Sequence, residues 1–211
     1  MLISFEGIDY CGKSTQAKIL ADHLQNSGHD VMLIREPGNT TISERIRSIV
    51  LSEDSNLCDR AEILLFEASR AQLVSEVIAP ALRAGKIVVS DRYLDSTLAY
   101  QGFGRRLPLD DVQRLNRFAS YEMLPDITFL LHLTPEEAFR RALETDNKPD
   151  RIEKNDLAFF ERVMNGYLRA AIAEPHRFHV VDATQTPEEI HRIIWNAIVE
   201  EERWRQLVEV S

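Results

Sequence analysis

Eight consecutive residues, Gly7-Ile8-Asp9-Tyr10-Cys11-Gly12-Lys13-Ser14, fit the pattern G-x-x-x-x-G-K-[ST]. Residues of these types at this spacing hold phosphate. The glycines let the chain turn tightly, so that successive N–H groups and the positive end of the following helix converge on an anion. Lys13 then reaches the outer phosphates and Ser14 binds Mg²⁺. A second group, Ser90-Asp91-Arg92-Tyr93, sets an acid beside a base. Asp91 suits the hydration shell of a metal ion, and Arg92 offers a planar fork to a second phosphate. Such a pair serves equally well as a structural ion pair, and the loop upstream tips the reading toward phosphate chemistry. Phe66 and Arg70, four residues apart, share a helix face. A ring that stacks beside a cation that donates to a carbonyl makes a slot for a planar base. Ser96 with Tyr100, and Thr97 with Gln101, are further i,i+4 pairs that gather polar groups on one side of a helix.

These groups need a scaffold that brings them together. Apolar runs suited to buried strands occur at residues 2–5, 31–34, 87–89, 127–133 and 178–181, with helical periodicity between them. The loop follows the first run, and Ala17, Leu20, Ala21 and Leu24 behind it mark one face of a helix. Asp59 with Glu62, Thr134 with Glu137 and Thr186 with Glu189 each place a capping residue three positions before a glutamate. Pro135 and Pro187 occupy first helical positions, and Gly28 and Gly85 end helices just before strands. A long helix from Asp59 onward, interrupted at Pro80, is a candidate contact surface for a second subunit. The βα alternation predicts an α/β fold of three layers, a P-loop NTPase fold: a central parallel sheet of about five strands, helices on both faces, and ligands at the carboxyl ends of the strands.

With 211 residues and 44% hydrophobic content, the chain is expected to form one domain over residues 1–211. A net charge of −9 with no basic face argues against nucleic-acid binding. The absence of a signal-like N-terminus or a long apolar stretch points to a soluble cytoplasmic protein with no membrane partner. Cys11 and Cys58 form neither a disulfide framework nor a zinc pattern. Cys11, inside the anion cradle, raises the idea of a thiol with a lowered pKa and a redox switch, against the plainer reading of a small packed residue. Residues 144–155 carry seven charges in twelve positions, a solvated segment that can serve as a lid over residues 140–155.

The motifs together resemble the bacterial thymidylate kinases. The likeness rests on F-E-G-I-D-x-x-G-K-S-T-Q from Phe5, R-E-P-G from Arg35, L-L-F-E-A-S-R from Leu64, D-R-Y from Asp91, S-T-x-A-Y-Q-G from Ser96 and D-R-I-E from Asp150. The resemblance implies transfer of the γ-phosphate of ATP to thymidine 5'-monophosphate, with Mg²⁺ held by Ser14 and Asp91, and a homodimer. It implies catalytic roles for Lys13, Arg92, Asp9 and an arginine of the lid. It assigns ATP to Gly7 through Thr15, Arg140 and Asp182, and thymidylate to Asp9, Glu36, Pro37, Phe66, Arg70, Arg92, Ser96, Thr97, Tyr100 and Gln101. Some members carry an arginine at the position of Tyr10, and Arg151 is the expected substitute. Asn39 stands where a second glycine is common; asparagine tolerates the positive φ such a turn demands. Kinases of other nucleoside monophosphates, a deoxynucleoside kinase using Glu36 as base, and a nucleotide-dependent switch remain the competing readings.

Overall fold

All five residues of the first strand, β1 (Leu2–Glu6), are buried, as its nearly continuous apolar character requires. The computed structural model describes residues 1–145, 148–201 and 204. The other strands are β2 (Val31–Arg35), β3 (Ile87–Asp91), β4 (Ile127–His132) and β5 (Phe178–Asp182), in the order β2-β3-β1-β4-β5, every neighbouring pair parallel. Around them lie α1 (Lys13–Asn26), α2 (Thr41–Leu51), α3 (Asp59–Leu73), α4 (Ala79–Arg83), α5 (Leu94–Thr97), α6 (Leu109–Ser120), α7 (Pro135–Ala142), α8 (Leu157–Ala173) and α9 (Pro187–Glu200). Successive strand residues face opposite sides. Ile3, Phe5 and Val89 therefore join a core with Leu20, Leu24 and Phe129, while Leu2 and Val88 join another with Leu73, Val74 and Ile78. Each such side chain contributes about 1.5–3 kcal/mol on leaving water.

The capping expectations hold at two of three helices. Thr134 accepts from Glu137 N, and Thr186 with Glu189 forms a full capping box. At α3 the N-cap is Cys58 rather than Asp59, which becomes the first helical residue; its partner Glu62 is drawn away into a buried cluster described below. Pro80 does not end its helix. A π-helical turn, Val74–Ile78, precedes α4, and Pro80 stands at the start of that helix, where the missing N–H goes unneeded. A second π-helical turn, Leu98–Gly104, follows α5 and carries Tyr100 and Gln101. Gly28 and Gly85 both take positive φ before their strands.

The charged segment is less solvated than its composition suggests. Asp146 and Asn147 lie outside the described residues, but Ile152 is buried in the main core, and Asp156 caps α8 by accepting from Phe159 N. Among the described residues, no helix is long and apolar enough to cross a membrane.

Candidate active site

The carboxyl ends of β1, β2 and β3 open into a cavity of about 590 Å³. Its floor is the phosphate loop. Gly7 takes φ 137°, and a Cβ there would lie 2.6 Å from the Leu131 carbonyl, so the close approach of β4 demands glycine. Ile8 is buried and turns its carbonyl to Lys13 Nζ at 2.7 Å. Tyr10 and Gly12 have positive φ, which curls the loop ahead of α1. Ser14 and Thr15 are exposed at the cavity wall. Cys11 is buried, and desolvation pushes its thiol up rather than down, with Lys13 and Arg92 pulling the other way. The thiolate needed for the redox switch is therefore disfavoured, and Cys11 is a packed small residue.

Arg92 is the hub of the cavity. Its φ of 72° is uncommon for a non-glycine residue and costs of order 1–3 kcal/mol. Its N–H donates to Phe5 O at 3.0 Å, and its carbonyl accepts from Ser90 Oγ at 2.6 Å, so β1 and β3 together hold the conformation. The guanidinium pairs with Asp9 through Nη2, donates to Gly7 O at 2.9 Å, and reaches the hydroxyls of Ser96, Tyr167 and Tyr100. Tyr100 OH also donates to Asp9 Oδ2 at 2.8 Å. Burial raises the Asp9 carboxyl, but Arg92 and Lys13 outweigh it and hold the group below the usual carboxylate value.

Behind Arg92 sits Glu6, wholly buried. It accepts from Tyr93 N at 2.7 Å, Ser96 Oγ at 2.6 Å and Tyr167 OH at 3.0 Å. With both hydroxyl hydrogens aimed at Glu6, their lone pairs are free for Arg92. Burial and the nearby Asp95 push the Glu6 carboxyl up to about 7, against Ser96, Arg92 and Tyr93. The folded chain therefore holds this proton more tightly than the unfolded chain. The stability it contributes is full below pH 4.5 and is lost as pH rises through 7, a change on the order of 3 kcal/mol. The wild-type melting temperature should fall between pH 6 and 8 and that of Glu6→Gln should fall less; equal slopes would contradict the assignment. Glu36, raised in the same direction by burial, keeps part of the slope in both proteins.

Phe66 and Arg70 line the far end of the cavity with Thr97 and Gln101. Arg70 is 2% exposed, and its nitrogens are engaged by Glu36, Glu67, Thr97, Asn116 and the Tyr93 carbonyl. A base carbonyl can reach this guanidinium only by sharing or displacing one of these partners. Glu36 Oε2 is committed to Arg70 at 2.7 Å, and Pro37 O accepts from Arg47 at 2.9 Å. Asn39 takes φ 66°, as the turn requires, and its Oδ1 accepts from Arg35 N.

Two expected ATP-side or catalytic arginines lie elsewhere. Arg140 is exposed and tied to Glu137 and Glu144, because i,i+3 and i,i+4 spacing on α7 offers it carboxylates within reach. Its neighbour Arg141 takes the inward position, donating to Ala183 O at 2.8 Å and Tyr10 O at 3.5 Å. Arg151 does not line the cavity; its Nη2 pairs with Glu62 at 2.7 Å and its Nε donates to Val50 O at 3.0 Å. The buried Glu62 carboxylate draws it away from the loop. Asp182 is exposed and caps its own turn, accepting from Thr184 N and Oγ1.

Sequence reasoning did not single out Glu6, Glu62, Arg47, Arg141 or Tyr167. Glu6 carried one signal, a carboxylate closing a largely apolar, wholly buried strand. Glu62 was hidden by its resemblance to a capping partner.

Ser14 Oγ donates to Asp91 Oδ2 at 2.5 Å beside the loop, two hard oxygen donors that fit a Mg²⁺ ion completed by water and phosphate. A five-stranded parallel sheet with this loop between β1 and α1, opening on one cavity with a second cationic centre, defines a P-loop protein of the nucleotide-kinase class. Residues 5–194 match the family model for thymidylate kinase. The thymidylate kinase of Chlorobaculum parvum is 48% identical over 206 residues, covering 94% of this chain and 95% of that protein. That of Caldanaerobacter subterraneus subsp. tengcongensis is 43% identical, covering 94% of each. The crystal structure of thymidylate kinase from Ehrlichia chaffeensis superposes with a TM-score of 0.77 at 32% identity, covering 94% of this chain and 98% of that one. The chain belongs to the thymidylate kinase family.

Proposed function

We propose that the protein phosphorylates thymidine 5'-monophosphate to the diphosphate with ATP, on the route to dTTP. The observation that carries this reading is one cavity joining a phosphate loop to a base slot, with Arg92 and Asp9 between them. The acceptor oxygen is already ionised near neutral pH, so no general base is needed, and catalysis reduces to alignment and charge neutralisation. Lys13 serves the phosphates of ATP, and Arg92 orients the acceptor phosphate. Ser14 and Asp91 would hold a Mg²⁺ ion, which would supply neutralisation of phosphate charge. Phe66 stacks on the base, while Tyr100 packs against the sugar and Asp9 takes its 3'-hydroxyl. Arg141 replaces Arg140 at the ATP side, joining the loop to the turn after Asp182. Arg151 serves as a strut of the segment over residues 140–155, and that segment, with Asp150 and Glu153 at the cavity wall, serves as a lid.

The whole chain, 1–211, is read as one kinase domain acting in the cytoplasm without nucleic-acid partners, in keeping with its acidic charge and free cysteines. A homodimer is supported by α3 and α6, which leave Leu64, Leu109 and Phe118 exposed, and sedimentation velocity measures it directly. Commitment of Glu36 to Arg70 disfavours the deoxynucleoside-kinase alternative. The test is an acceptor panel of thymidylate, deoxyuridylate, uridylate, adenylate and thymidine with ATP and Mg²⁺. Thymidylate should give the highest kcat/KM, and chelation with EDTA should abolish turnover; preference for another acceptor overturns the reading.

A further inference from the structure

Glu62 lies on α3, 1% exposed, and no part of the proposed chemistry uses it. Four side-chain nitrogens converge on its carboxylate. Gln101 Nε2 donates to Oε1 at 2.9 Å, Arg105 donates through Nε at 3.1 Å and Nη2 at 3.2 Å, and Arg151 pairs at 2.7 Å. Two guanidiniums hold the group ionised, and an ionised carboxylate only accepts. The amide of Gln101 therefore has no choice of orientation: its NH₂ must face Glu62. Because the amide is planar, its oxygen takes the opposite edge, and Gln101 is a wall of the cavity beside Phe66, Arg70 and Thr97.

We propose that Glu62 is a specificity-positioning residue, locking Gln101 so that its carbonyl oxygen faces the bound base and selects a pyrimidine with an N–H at ring position 3. The proposal rests on the function given above. Thymine and uracil carry that N–H; cytosine carries a lone pair there, which would meet the lone pairs of the Gln101 oxygen. A buried acceptor left without its donor is rejected strongly, by factors that reach about 10⁴ in sites of this kind. The same carboxylate ties Arg151 to the base-reading wall, so the segment carrying Arg151 is anchored at the point where the base is read.

Glu62→Gln tests this. Its own amide can offer either oxygen or nitrogen to Gln101, which is then free to flip. The wild type should prefer deoxyuridylate over deoxycytidylate by at least roughly a hundredfold in kcat/KM, and Glu62→Gln should compress that ratio below about tenfold. Glu62→Asp, which keeps a pure acceptor, should restore most of the ratio. A purely structural role would lower both activities together and leave the ratio unmoved, and that result overturns the proposal while leaving the kinase assignment intact. Equal use of deoxyuridylate and deoxycytidylate by the wild type overturns it as well, whether or not the variants fold. Failure of the wild type to accept thymidylate overturns the functional reading and the proposal together.

Discussion

Arg92→Lys is expected to lower kcat/KM for thymidylate about a thousandfold, with the loss divided between kcat and the thymidylate KM and little change in the KM for ATP. A guanidinium can meet Asp9, the Gly7 carbonyl and several hydroxyls in one plane and still offer a fork to a phosphate; an ammonium is a point charge without that geometry. A bidentate contact that aligns the acceptor phosphate acts through orientation, where a misplacement of about 1 Å can cost about a hundredfold, and the lost fork contacts add to that. The strained backbone at Arg92 sharpens the expectation, since lysine pays the same φ cost without recovering the contacts. Initial-rate kinetics with each substrate varied in turn would measure the effect. A variant within tenfold of wild type for thymidylate would remove Arg92 from the acceptor site.

Lys13→Met should reduce kcat roughly 10²–10³-fold while thymidylate affinity, measured by calorimetry without ATP, stays near wild type. The side chain is 6% exposed and folded back on the loop, donating to Ile8 O at 2.7 Å with Cys11 Sγ at 3.7 Å. It is therefore held over the cradle before any nucleotide arrives, and its charge acts on developing negative charge rather than on the base. Methionine preserves most of the packing volume and removes only the cation. An unchanged kcat would place the outer phosphates elsewhere. The contrast between the variants is diagnostic: Arg92 should disturb the acceptor, Lys13 the transfer.

The likeness of 32% to 48% to thymidylate kinases makes a total failure of the acceptor panel an informative result. It would overturn the assignment of the cavity's polar lining to a nucleotide acceptor. The Glu6 and Glu62 carboxylates are the groups that organise this lining, one behind the phosphate end and one behind the base end. Neither faces solvent, and both act through another side chain.

How far the chain could be read without its structure varies with the range of the interactions involved. The five strands, the loop, the caps at Thr134 and Thr186 and the turn at Asn39 were legible because each depends on neighbours in sequence: period, capping spacing, or tolerance of positive φ. Gathering Asp9, Arg92, Ser96, Tyr100 and Gln101 at one cavity also followed, because parallel strands put their carboxyl ends together. What spacing could not decide was where long charged side chains point. Arg140 and Arg141 are adjacent and both reach Glu137, yet helix rotation leaves Arg140 outside with Glu144 and turns the rest of the Arg141 guanidinium inward to Ala183 O and Tyr10 O. Arg151 stands in a segment that reads as solvent-exposed, but a buried carboxylate from α3 captures it. Cys11 lies at a helix N-terminus, where a thiol should acidify, but its burial in the core reverses the shift. Residue types and their order thus determined the fold, the phosphate loop and the family. Only the tertiary structure decided which cation faces which anion, because a flexible side chain is placed by the unpaired charge that burial leaves nearest to it, and sequence distance does not record that.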